Sequence, residues 1–252
     1  MQGRSHVIIW PHRLLVLLAV AVTACQGSPE ADIHTTPPSP PTSTTTTSTT
    51  TTSSTTTSTT TLPEPVFEAV ITEVTAERLA HSYTPDCPIT PEEVVLIRLN
   101  HWGFDGATHD GEIVVARNQA DAVVEIFRRL FDVGYPIESV IPIGDLPEGI
   151  EDDDPNYNNT SGLHCRFVGG TTTWSEHAKG LAIDVNPFLN PYITSSEVWP
   201  PNATKYVDRS LGEPGMITAD DQVVRAFEHS GWHWGGNWSS VKDYHHFSLS
   251  GR

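Results

Sequence analysis

Basic residues are scarce in this chain of 252 residues: 14 Lys and Arg stand against 31 Asp and Glu, for a formal charge of −17. Phosphate backbones need a basic footprint, so the balance argues against nucleic acid as a partner. The uninterrupted apolar run over residues 14–22 is too short for a membrane span. Cysteine numbers only three, too few for a cysteine-built zinc site. There is no G-x-S-x-G elbow, which removes the usual setting of a hydrolase serine. The acidic run EDDDP at 151–155 lacks the spaced ligands and turn glycine of a calcium loop and reads as a solvated loop.

What is present begins with an export signature. Arg4 and Arg13 precede the apolar run, giving the basic and apolar regions of a secretory signal. The run closes on VTAC, which resembles a bacterial lipobox. That resemblance implies cleavage before Cys25 and lipidation of Cys25, the alternative being ordinary cleavage nearby. Every residue from 42 to 61 is Ser or Thr, with prolines on both sides. Such a segment has almost no apolar area with which to offset the entropy of ordering. Forty such residues would reach about 35 Å as a flexible tether. The expected organisation is a lipoprotein-type signal peptide at 1–24, a disordered Ser/Thr/Pro-rich tether at 25–65 and one domain at 66–252. The location is extracytoplasmic, at the outer face of a bacterial membrane or in the wall, lipid-anchored or secreted. Membrane contact is expected only through the lipid. In an exported domain, Cys87 and Cys165 read as a structural disulfide.

Within the domain, residues 66–80 place Val70, Val74 and Leu79 near helical spacing. PEEVVLIRLNHWGF suits a helix start or a turn into a strand, and 112–117 a buried strand. The clearest helix runs over 118–134, with Asn118 as N-cap and Gly134 as stop. Residues 137–144 read as a strand, and 181–187 as a half-exposed strand with Asp184 opposite Leu181, Ile183 and Val185. A helix capped by Asp220 and ended by Gly231 follows, then a last strand at YHHFSL. The mixed order without a βαβ repeat indicates an α+β fold.

Two clusters carry the chemistry. In SEHAKGLAID, Gly180 permits a turn that folds His177 back beside Asp184, which supplies two of the ligands a catalytic zinc wants. KDYHHF offers the third. Adjacent strand residues point to opposite faces, so only one of His245 and His246 is expected to face the metal. His246 takes that place, and Asp243, three residues earlier, acts as general base to a metal-bound water. Phe247 should turn inward. A serine triad of Ser175, His177 and Asp184 is the poorer alternative, and a purely structural role for these polar residues is the plain one.

Ser175, His177, Gly180, Ala182 and Asp184, followed by Asn186 and Pro187, form S-x-H-x-x-G-x-A-x-D-x-N-P. With GWHWGGNWSSVKDYHHF downstream, they resemble the VanY-like zinc peptidases, D-alanyl-D-alanine carboxypeptidases and L-alanyl-D-glutamate endopeptidases of peptidoglycan stems. The similarity extends upstream through HWGFDGATHDGEIVV and NNTSGLHCRFVGGTTTWSEH. It implies a small α+β fold of the hedgehog/DD-carboxypeptidase type, with flanking helices and Zn2+ on a central antiparallel sheet. It carries over His177, Asp184 and His246 as zinc ligands, Asp243 as base and Arg166 as the group that polarises the scissile carbonyl or binds a substrate carboxylate. His233 and His245 receive no role, and Trp232, Trp234 and Trp238 read as core and pocket wall. A monomer acting on peptidoglycan peptides is expected. The competing readings are a non-catalytic cell-wall-binding module of the same fold, for which Asp243 would be superfluous, and a metal-storage lipoprotein.

Overall fold

A computed structural model describes residues 64–252 apart from 148, 151–153, 155 and 156. The expected signal, Cys25 and the Ser/Thr run all lie outside the described residues, as does most of the 151–155 acidic run. No helix among the described residues is long and apolar enough to cross a membrane.

β-Branched residues crowd the start of the domain, and they select strand over the helix expected at 66–80. Strand β1 is Ala69–Thr72, and only Ala76–Leu79 is helical, as α1. Val70 therefore stands exposed on a sheet edge instead of facing a core. After a 3-10 turn at Pro91–Glu93 come β2 (Val94–Trp102) and β3 (Thr108–Ala116), paired antiparallel from Val94↔Ala116 to Trp102↔Thr108. Sequence order β1-β2-β3 is also the spatial order of this sheet. Strand β2 reads as a continuous apolar run because both its faces are covered. Val95, Ile97 and Leu99 enter the main core, while Val94 and Leu96 join Leu79, Val114 and Leu163 behind the sheet. Alternation along the strand makes that division.

Helix α2 (Ala120–Asp132) lays Val123, Ile126, Phe127 and Leu130 on the main core. Each such side chain contributes about 1.5–3 kcal/mol of burial. Its N-cap position is Gln119, because Arg117–Gln119 tightens into a 3-10 turn and takes Asn118 into it. Only Ser139–Val140 of the expected 137–144 strand is extended, as β4, and it pairs in parallel with β5 (Asn159–Thr160).

The remaining elements build the site. They are β6 (Ala182–Asp184), β7 (Tyr192–Ile193), β8 (Val198–Trp199), helix α3 (Gln222–His229), β9 (His233–Trp234), β10 (Lys242–Asp243) and β11 (His246–Ser248). Asp221, not Asp220, caps α3, its Oδ1 accepting from Val224 N at 3.0 Å. One antiparallel sheet runs β6-β11-β9 and another β10-β7-β8. The fold is α+β with its sheets small and separate. Strand β6 was expected to be half-exposed and is buried on both faces. Ile183, Phe247 and Trp234 share register on the core face, where Phe247 stacks on Phe227 with ring centroids 3.8 Å apart. Asp184 and His246 share register on the other face, which folds over with polar groups.

Two asparagines tie the loop after β6. Asn186 adopts φ 45 and spans to Pro136 O and Glu138 N. Asn190, fully buried, donates to Val185 O, Asn186 O and Gly215 O, and accepts from Arg209 and Ile217 N. Every polar atom of that amide is paired, as burial requires.

Cys87 and Cys165 are joined by a disulfide with Cα atoms 5.8 Å apart and 78 residues of separation. Closing so long a loop restricts the unfolded chain. Replacing both cysteines by serine should lower the unfolding free energy by about 4 kcal/mol, read by denaturant titration. A loss under about 1 kcal/mol would contradict that origin of the stability.

Candidate metal centre

His177 opens the 3-10 turn His177–Lys179, which Gly180 ends in the left-handed region at φ 64. A side chain at 180 would also press on the β3 backbone, its Cβ 2.5 Å from Ala116 N. The Gly180 carbonyl accepts from that same nitrogen at 2.9 Å, so the turn docks directly on the end of β3. Asp184 is held on two sides, by Ser161 through paired backbone bonds and by His246 through register. Three side chains from a turn and two strands thereby meet.

His177 Nε2 lies 3.1 Å from Asp184 Oδ2 and 3.2 Å from His246 Nδ1. His246 Nδ1 lies 3.0 Å from Asp184 Oδ1. One donor atom from each residue falls within 4.8 Å of the others, and all three residues are buried. The outward nitrogens decide what the inward ones can be. His177 Nδ1 points to Gly162 O at 2.8 Å, and His246 Nε2 to Arg252 O at 3.0 Å. A main-chain oxygen only accepts, so each outward nitrogen carries a proton, and whenever the ring is neutral its inward nitrogen presents a lone pair. With both rings neutral, two lone pairs and a carboxylate face one another among buried residues, an arrangement that a cation stabilises. The N, O, N set with ring nitrogens held by carbonyls suits a divalent ion such as zinc, and three protein donors leave a position open. The residues therefore fit the metal.

The charges agree. Burial acts to raise Asp184, but the charges of His177 and His245 and the bonds from His177 and His246 outweigh it, holding the carboxyl well below the usual carboxylate range. Burial acts to lower His246, and Asp184 overcomes it, pushing the ring up to about 9. A proton and a metal ion thus compete for the same nitrogen.

Asp243 stands beside this cluster and keeps 13% of its side chain exposed, more than Asp184 at 3%, so it is the carboxylate that borders solvent. Burial raises its pKa despite the nearby imidazoles. Its Oδ1 lies 3.0 Å from His245 Nε2, off the line of a hydrogen bond, so that buried oxygen lacks a donor among the described residues. Of the two adjacent histidines only His246 belongs to the three converging donors, yet His245 is not turned out to solvent. Residues 244 and 245 form a bend between β10 and β11, so strand alternation is not kept through the pair. His245 is buried, donates from Nδ1 to Asn190 O at 2.6 Å, and sets Nε2 between Asp243 and, at 3.9 Å, Asp184. Gly235 closes the other side: a Cβ there would sit 2.7 Å from Asp243 O and 2.9 Å from its Cβ.

Arg166 is half-buried at the base of a hairpin, its carbonyl accepting from Ser175 N at 3.1 Å, two residues before His177. Ser175 Oγ accepts from the backbone N of His177 at 3.3 Å. Both ring nitrogens of His177 are otherwise engaged, which leaves the serine triad without its hydrogen bond. Trp232 and Trp234 belong to the core, and Trp238 lies 5.5 Å from the His246 ring. His233 is exposed and pairs with Ser248 between β9 and β11. The carbonyls of Gly162 and Arg252, the Asn190 amide and the space at Gly235 had no sequence signal, since backbone oxygens and close approach are invisible to residue type.

Residues 169–249 match the family model described as D-alanyl-D-alanine carboxypeptidase. No curated protein and no solved structure matches the chain. The matched segment is the one that carries His177, Asp184, Asp243 and His246.

Proposed function

We propose that the domain is a zinc-dependent peptidase that hydrolyses stem peptides of bacterial peptidoglycan outside the cytoplasm. The observation that carries this reading is the convergence of three metal-type donors next to a fourth, non-converging carboxylate, all within a segment of peptidase sequence. His177, Asp184 and His246 are the metal ligands in this proposal. A zinc ion there supplies Lewis-acid polarisation of a peptide carbonyl and makes water acidic enough to react near neutral pH.

The chain's own groups do the rest. Asp243, already biased by burial toward holding a proton, accepts one from the attacking water and returns it to the leaving amine, so that one water and one peptide bond become a carboxylate and an amine. Gly235 leaves room for that carboxylate against the sheet. Arg166 is assigned to the carbonyl oxygen or to a carboxylate of the substrate. The acidic character of the chain is no obstacle, since charges at the site outweigh distant ones. The lipid anchor at Cys25, the tether to residue 65, the hedgehog/DD-carboxypeptidase kind of fold and a monomeric state complete the proposal. A cell-wall-binding module would need no carboxylate placed as Asp243 is.

Two outcomes are expected. The full chain incubated with defined muropeptides should release either terminal D-alanine or a fragment cut at L-alanyl-D-glutamate, read by mass, and chelator should stop it until zinc is restored. Asp243→Asn should bind one zinc per chain yet turn over about 10²–10⁴-fold more slowly; a normal rate would remove the carboxylate from its role. His177→Ala should lose metal, measured by elemental analysis, together with hydrolysis, and a fully active metal-free preparation would end the zinc reading.

A further inference from the structure

Both carbonyls that orient the imidazoles, Gly162 O and Arg252 O, lie outside the matched segment 169–249. Gly162 is buried, whereas Arg252 lies on the segment after β11 that folds back on Ser248 and His246. Leu249 N donates to Leu181 O at 3.0 Å and starts that return. Gly251 turns it at φ 75, and Trp238 Nε1 donates to Gly251 O at 2.9 Å. Ser248, fully buried, then grips residue 252 at both ends of its backbone. Its Oγ donates to Arg252 O at 2.8 Å and accepts from Arg252 N at 3.0 Å. The Arg252 oxygen therefore receives two donors, the serine hydroxyl and His246 Nε2, and the Arg252 side chain is needed for neither.

We propose that residues 249–252 form a clasp that sets the affinity of the metal centre, with the main-chain oxygen of Arg252 as the positioning group for His246. The inference rests on the metal reading above. An imidazole on a single bond can rotate and can carry its proton on either nitrogen. An acceptor fixed at Nε2 holds the proton there and the ring in place, so that Nδ1 meets the ion as a lone pair beside Asp184 Oδ1. Ser248 in turn keeps the carbonyl from swinging to solvent, and Trp238 carries the turn. Residues 249–252 are thereby tied to the metal centre through main-chain groups.

Metal affinity tests this separately from turnover. Zinc binding is measured by competition with a chromophoric chelator, and cobalt binding by its absorption spectrum, on chains carrying residues 1–252 and on a version ending at Gly251. Loss of the Arg252 carbonyl should weaken zinc by about 10–100-fold and broaden the cobalt bands. Arg252→Ala, which keeps the carbonyl, should bind as the parent does, and Ser248→Ala should weaken zinc by less than the truncation. Parental affinity in the chain ending at Gly251 overturns the clasp, as does an Arg252→Ala loss equal to the truncation. Thermal melts in chelator check that the shortened chain folds; if it does not, Ser248→Ala decides alone, and parental affinity there overturns the proposal. His177→Ala separates the two readings. Were it to keep full zinc affinity, the metal centre itself would be wrong; were it to lose zinc while the truncation did not, only the clasp would be.

Discussion

Electron-pair donors packed together away from water repel one another, and the second half of this domain is organised around three of them. Asp184, His177 and His246 are each buried, and each is turned inward by what holds its outer side. Ser161 holds the Asp184 backbone, Gly162 O the far nitrogen of His177 and Arg252 O that of His246. None of these partners can itself neutralise the cluster, so the fold stores a demand for positive charge at one point. A proton on His246 meets part of that demand, and a divalent ion held by the three donors would meet it too.

Rigidity comes from the sheet behind. The two-residue period gives β11 a face of Phe247 against Ile183, Trp234 and Phe227, and a face of His246 against Asp184. The apolar face cannot slide by one residue without exposing Phe247 and burying the imidazole in the core, so hydrophobic burial fixes the register that brings His246 to Asp184. The strand with Asp243 belongs to a different small sheet, and the bend at 244–245 is where the chain passes from one to the other. That bend brings His245 into the cluster as well. Asn190 supports it through its carbonyl, and Arg209 supports Asn190 while its guanidinium lies 4.6 Å from the Tyr244 ring. The two terminal nitrogens of this half-buried cation are taken up by oxygens of Leu189, Asn190, Tyr206 and Ile217, and its face by the Tyr244 ring.

Local order told apart the parts of the sequence that local order controls. The amphipathic repeat of 118–134 and the glycine after it produced α2, and the apolar run before Trp102 produced β2. Both caps moved by one residue, that of α2 because Asn118 lies inside the 3-10 turn Arg117–Gln119, that of α3 because Asp221 is the residue that reaches Val224 N. Residues 69–72 became strand because pairing with β2 outweighs a weak helical spacing.

At the site, residue type and spacing alone determined which side chains could bind a metal and which carboxylate could move a proton, since those capacities belong to the side chains themselves. The identity of His177, Asp184, Asp243 and His246 was legible for that reason, as was a turn at Gly180. Which way each nitrogen points, whether His245 joins the cluster, and which backbone oxygens fix the rings were decided only when distant segments packed. Gly162 and Arg252 act through carbonyls that every residue possesses, so their part depends on where the chain passes, and position is a property of the tertiary structure alone.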